Sequence, residues 1–355
     1  MMMDISIPYY EDKTRISNSN IGWFLQKGPA FLHKMLTDPP PEEKNPVLER
    51  GTMIHEYILQ PEEFQKDYVV WDKSRPSSAQ QEKFCQALAS SLELEPNRAI
   101  LDAYKQAYST AGKSEDKMLS EGLKIASTLK DYIDFLKAND GRIMISPWDA
   151  QMLKKVKNNF KAHKLAWKLL WPLEDSIGPK ILTDNGPIDA VKAHHEFHIN
   201  WEWHWLKEHV SCKSLLDGLT IDFRSKTVII YDLKTTQKLW HFEDSMEMYD
   251  YERQLSYYTM AVKWYLEHEC GIDGEDIAYN WKFSHYIIGI DTTGSYEIRV
   301  FKVELKMHES KKLNLVSTTA KIQEALFDIA WHQRENKWDH SREYYEGDGS
   351  ESLNL

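Results

Sequence analysis

Basic residues are outnumbered in this chain, with 44 Lys and Arg against 55 Asp and Glu and a net charge of −11. The pI is near 5.7. That excludes a global basic signature of nucleic-acid binding, although an acidic protein can still carry a positive cleft. Cysteine is scarce. Cys85, Cys212 and Cys270 lie far apart with no CxxC, so neither a disulfide framework nor a cysteine-ligated cluster is supported. No apolar run approaches the roughly 18 residues of a membrane-spanning helix. The opening MMMDISIPYYEDK lacks the apolar stretch of a signal peptide and carries acids early. There is no internal repeat and no glycine-rich phosphate loop. The expectation is a soluble chain in a reducing compartment. Of its 355 residues 42% are hydrophobic, enough for one large domain or two modest ones.

The most informative stretch is Thr227–Thr236, TVIIYDLKTT. Val228, Ile229, Ile230 and Tyr231 predict a short strand covered on both faces. Asp232 and Lys234 follow, two apart and therefore on one face. Opposite charges at the tip of an apolar strand are costly to bury without partners. The pair reads either as a solvated strand-end ion pair or as part of a site. Upstream, Asp217 follows a second strand-like run, Val210–Leu216. Two acids on adjacent strand ends beside a lysine suit a divalent cation held against a phosphodiester.

The remaining pieces fall in order along the chain. Residues 1–70 predict helices after the N-cap candidates of ISNSN. Gly51–Leu59 is helical, with Ile54, Ile58 and Leu59 on one face and His55 at the stripe's edge, where a histidine is more often packed than ligating. Residues 71–180 have helical spacing throughout and read as an insertion or lobe without a catalytic motif. One basic helix there carries Lys154, Lys155 and Lys161, either a solvated face or a phosphate contact. From Ile181 the period is two. Val191, Ala193, His195, Phe197 and Ile199 alternate with Lys192, His194, Glu196, His198 and Asn200, a strand with one polar face. Its histidines and the following tryptophans predict a hairpin with an aromatic tip, since no second ligand cluster supplies zinc spacing. A helix in two pieces broken near Asp250 puts Tyr251, Gln254, Leu255 and Tyr258 on one stripe. Strands over 279–290 and 296–305 and a closing helix over 312–334 complete a core of 181–335. The acidic tail, 336–355, predicts little fixed structure.

Taken in order, GxxxH (Gly51, His55), Glu196, Asp217, the DLK of Asp232–Lys234, then Gln254 and Tyr258 resemble the PD-(D/E)XK nucleases. Within them the branch of exonuclease VIII (RecE), RecB nuclease domains and phage recombination exonucleases is most similar. ISNSNIGWFLQKGPAF, GTMIHEYILQPEEF and YERQLSYY carry that resemblance, over roughly 14–70 and 185–265. It implies an α/β fold: a mixed central sheet flanked by helices, with a helical insertion. It also implies roles. Asp217, Asp232, the Leu233 carbonyl, His55 and Glu196 would hold Mg²⁺ or Mn²⁺, oxygen-seeking ions. Lys234 would position or deprotonate the attacking water. Gln254 and Tyr258 would bond the site or the DNA backbone. The central acid is Asp232 where many members have Glu, but Asp is usual in the RecB-like branch. The implied activity is exonucleolytic degradation of linear duplex DNA from its ends, 5′ to 3′, for recombination in a bacterial cytoplasm, by a phage or prophage protein. A ring-shaped homo-oligomer and a single-strand annealing partner follow from relatives alone. The alternatives are a structure-specific or restriction-like endonuclease of the same fold, and a non-catalytic DNA-end binder.

Overall fold

The computed structural model describes residues 7–41, 45–91, 95–138, 141–172, 181–183, 186–305 and 317–351. Two compact units emerge, Pro61–Lys154 and the remainder of the chain.

The larger unit opens with α1 (Asn18–Thr37), whose start is a reciprocal cap between Ser17 and Asn20. Asn45 caps α2 (Pro46–Leu59), with proline at its first position. The smaller unit then runs through α3 (Pro61–Asp67), β1 (Tyr68–Val70), α4 (Ala79–Ala89), α5 (Pro96–Ala107), α6 (Glu115–Thr128), α7 (Lys130–Lys137) and β2 (Ile143–Ile145). Strands β1 and β2 pair in parallel. Phe84, Ile100, Tyr104, Leu129 and Ile133 give this unit its own core. Helix α8 (Pro147–Ala162) follows, then α9 (Lys164–Leu170) and a short antiparallel pair, β3 (Ile181–Thr183) with β4 (Gly186–Ile188).

The central sheet has the order β5-β6-β7-β8-β9, from β5 (Val191–Trp205), β6 (Glu208–Asp222), β7 (Thr227–Thr236), β8 (Lys282–Asp291) and β9 (Ile298–Val303). It is mixed: β7 and β8 are parallel and every other pair is antiparallel. The crossover between β7 and β8 carries α10 (Phe242–Met248), α11 (Tyr251–His268) and α12 (Gly274–Asn280); α13 (Thr318–Glu335) and α14 (Arg342–Glu346) end the chain. Helices α11 and α13 cover one face of the sheet, with α1 packed on both. The α/β class and the helix-flanked mixed sheet follow the sequence pattern.

Local differences have simple causes. Asp217 lies within β6, not after it, because β5 pairs with β6 along nearly its whole length. Tyr279 lies in the last turn of the short helix α12, which Asp273 caps, so the following strand begins at Lys282. The closing helix starts at Thr318, where Ser317 supplies a cap; 312–316 lie outside the described residues. The tail is not wholly unstructured: Arg342 on α14 bonds Asp328 at 3.3 Å.

One feature of the sheet prepares the site. Strands β6 and β7 pair only from Gly218–Tyr231 to Asp222–Thr227 and then diverge. On the β6 edge that β7 leaves, Ile16 docks instead: its amide donates to the Ser211 carbonyl and its carbonyl accepts from Lys213, both at 2.9 Å. The fork stays open.

Candidate metal centre

At the mouth of the fork the Leu233 amide has no β6 carbonyl to bond. It donates instead to Asp217 Oδ2 at 2.7 Å, which fixes that carboxylate against the DLK stretch of β7. Asp232 and Lys234 project to the α11 face. Asp232 is 1% exposed; its Oδ2 lies 2.6 Å from Lys234 Nζ, and its Oδ1 accepts from Gln254 Nε2 at 2.9 Å. Gln254 also donates to the Tyr258 hydroxyl at 2.8 Å.

His55 reaches the same place from α2. Its Nδ1 is 3.6 Å from Asp217 Oδ2, and its ring also bonds the Leu233 backbone. Gly51, one turn earlier, explains the close approach: a Cβ there would stand 3.1 Å from Thr235 Oγ1. Glu196 arrives from β5, directly across from Asp217. Ligand atoms of His55, Glu196 and Asp217 all lie within 4.8 Å of one another.

Glu196 adopts a left-handed backbone, φ 48°, unusual for a side chain of this kind. The strain has a visible effect, because it shifts the alternation of β5 by one residue. Before it, His195 faces the ends of α2 and α9, its ring nitrogens 3.1 and 2.8 Å from the Leu59 and Leu170 carbonyls. After it, Phe197 and Trp201 face α11, against Tyr265 and Tyr257. The expected single polar face is thus corrected: His195 and Phe197 lie on opposite sides.

The electrostatics are those of too many acids for the available cations. Burial, then Asp217, Asp232 and Glu56, push the Glu196 carboxyl up to about 8. Burial and Asp217 raise Asp232 as well, against the opposing pull of Lys234. Burial pulls Lys234 down, but Asp232 and Asp217 more than offset it and hold the ammonium above its usual range. Burial lowers His55, against Asp217, so its imidazole is neutral near pH 7 and free to ligate. Among the described residues, the buried Glu56 Oε2 and Tyr231 hydroxyl have no hydrogen-bond partner, and Asp232 Oδ2 has only its ion pair with Lys234. Two carboxylates and an imidazole, those of Glu196, Asp217 and His55, converge beside the Asp232–Lys234 pair and form a donor set that fits a hard divalent cation.

Six of the residues singled out from sequence, His55, Glu196, Asp217, Asp232, Lys234 and Gln254, meet here. The Leu233 backbone is present too, its amide on Asp217. Tyr258, expected at the DNA, is 7% exposed and supports Gln254 from behind. Lys155 donates to the Gly294 carbonyl at 2.9 Å, bracing the β8–β9 turn, and Lys161 lies over Trp167. Lys154 is exposed on α8. Glu56, Tyr231 and Tyr10 escaped sequence reasoning. Tyr10 is largely exposed and close enough to Glu196, Asp217 and Glu56 to interact with them electrostatically. Only Glu56 left a signal, as the neighbour of His55.

No family model matches the chain, and no curated protein sequence matches it. Among solved structures, a crystal structure of a "putative exonuclease" from Eubacterium rectale aligns over 94% of this chain and 84% of that one. The TM-score is 0.39 and the identity 10%. A likeness so remote carries no weight for function, which rests on the side chains.

Proposed function

We propose that the protein is a divalent-metal-dependent nuclease that hydrolyses DNA phosphodiesters from the ends of linear duplexes. The observation that carries this reading is the 2.7 Å bond from the Leu233 amide to Asp217. It sets an acid of β6 against the Asp232–Lys234 pair of β7 in an opened sheet, the grouping that the resemblance to PD-(D/E)XK nucleases implies.

Asp217, Asp232, Glu196 and His55 would hold Mg²⁺ or Mn²⁺. Such an ion, when bound, polarises a phosphoryl oxygen and lowers the pKa of its water. The chain's own residues supply the rest. Gln254 fixes the Asp232 carboxylate through Oδ1. The Lys234 ammonium, kept charged by Asp232 and Asp217, faces the phosphate as a cation and opposes the negative charge that grows on it. It serves as a positioned charge, not as the base.

The test is purified protein on end-labelled linear duplex and on closed circles, with Mg²⁺ or Mn²⁺, beside Asp232→Ala and Lys234→Ala. Loss of label from linear DNA alone, reduced about 10²-fold or more in each variant, is the expected outcome. Cutting of closed circles would favour the endonuclease reading. DNA left intact with both metals would defeat the enzymatic claim.

A further inference from the structure

Four aromatic rings form a column beside Lys234. Phe301 of β9 stacks on Phe242, which opens α10, with centroids 4.6 Å apart and planes at 6°. Phe242 stacks on Tyr251, which opens α11, at 6.0 Å and 25°. Tyr251 stacks on Tyr249 at 5.7 Å and 22°. Within the column Phe242 is buried, 2% exposed, whereas Tyr249 at its end is 59% exposed. Lys234 Nζ lies over the Tyr251 ring, 5.0 Å from its centroid.

The outer ring is held by backbone geometry. Asp250, between the two tyrosines, is left-handed with φ 51°, a conformation that costs a non-glycine residue energy and persists only where its surroundings impose it. Its carboxylate accepts from Arg253 Nε at 2.8 Å. Arg253 in turn donates to the Asn18 carbonyl at 2.6 Å. This kink turns residues two apart into stacked neighbours and leaves the outer face of Tyr249 open.

We propose that the open face of Tyr249 is a nucleobase-stacking platform for the strand being cut, one ring removed from the Lys234 ammonium that meets its phosphate. The inference rests on the nuclease reading. A planar base would continue the column, and base–aromatic stacking tolerates any sequence because every base offers a π-face. A ring serving only to shield Tyr251 would need its bulk and not its aromaticity.

Three variants separate these roles: Tyr249→Ala, Tyr249→Leu and Tyr249→Trp, each checked for an unchanged thermal melt. Two readouts apply. One is cleavage kinetics on end-labelled DNA. The other is quenching of 2-aminopurine placed near the end of a single-stranded oligonucleotide, with Ca²⁺ replacing Mg²⁺. The platform predicts that Ala and Leu raise KM roughly 5- to 100-fold, with the effect concentrated in KM, and abolish quenching, while Trp preserves both. Ala within twofold of wild type in both readouts, or Leu rescuing as well as Trp, overturns it. If wild-type protein cuts no DNA, the nuclease reading falls separately. Quenching by wild type that Tyr249→Ala removes would then still support stacking, and its absence would overturn it.

Discussion

Exchanging Glu196 for glutamine isolates the most strained acid of the site. Its carboxyl is raised from 4.5 to about 8 in the folded chain, so between those values the native state holds a proton that the unfolded state has released. Stability of the metal-free protein therefore falls as pH rises through that window. Urea midpoints in EDTA should fall between pH 6.5 and pH 8.5 for the native chain, and the fall should be smaller for Glu196→Gln. Because an ion needs the ionised carboxylate, Mg²⁺ binding should release a proton and tighten with pH, which calorimetry in two buffers of different ionisation heat would show. Asp217→Asn keeps an oxygen for the Leu233 amide yet removes a charge; it should lower cleavage about 10²-fold or more with little change in thermal melt. At this scale the Asp232–Lys234 pair was legible because alternation along a strand fixes its direction, whereas His55 and Gln254 were picked out by the resemblance and not by their spacing. Tyr231, Tyr10 and Glu56 were not, since what places them among the acids is the divergence of two strands, and spacing within one strand does not encode that.

Strands and helices were legible where periodicity is long, as in β7 and α11. The reading failed where one residue departs from regular geometry, as Glu196 does in shifting the faces of β5, or where a cap competes with strand propensity, as Asp273 does ahead of Tyr279. Close approach between elements yields a sharp test. Tyr231 lies flat over Gly218, where a Cβ would fall 1.8 Å from its ring. Gly218→Ala should cost about 3 kcal/mol in denaturant unfolding, and pairing it with Tyr231→Ala should recover much of that loss. The β8 strand offers a second test away from the acids. His285, 5% exposed and 2.8 Å from Thr259 Oγ1, is lowered to about 4 by burial and then by Lys263. The unfolded chain takes up a proton near pH 6.5 that the folded chain refuses until about 4. Stability is thus lost as pH falls between them, by up to about 3 kcal/mol. On a Glu196→Gln background, His285→Gln should flatten that slope in urea midpoints measured in EDTA from pH 7 to pH 4.5.

On the scale of the molecule, the helical block read over 71–180 overlaps a compact unit, Pro61–Lys154, with a core drawn from α4 to α7. Expressed alone, that segment should give a helical circular dichroism spectrum and a cooperative melt; a featureless melt would show that its core needs the rest of the chain. Among the described residues no helix is long and apolar enough to cross a membrane. The larger unit depends on its earliest described residues in a way that sequence order hides. Ile16 occupies the hydrogen-bonding register through which β6 and β7 would otherwise zip together, and the Tyr257 hydroxyl clamps its carbonyl at 2.6 Å. Trimming the chain back to Ile21 would bare a length of unpaired strand. The seam would be free to close or to recruit a stray peptide, so a cut some two hundred residues upstream of Asp217 in sequence would abolish the cleft itself.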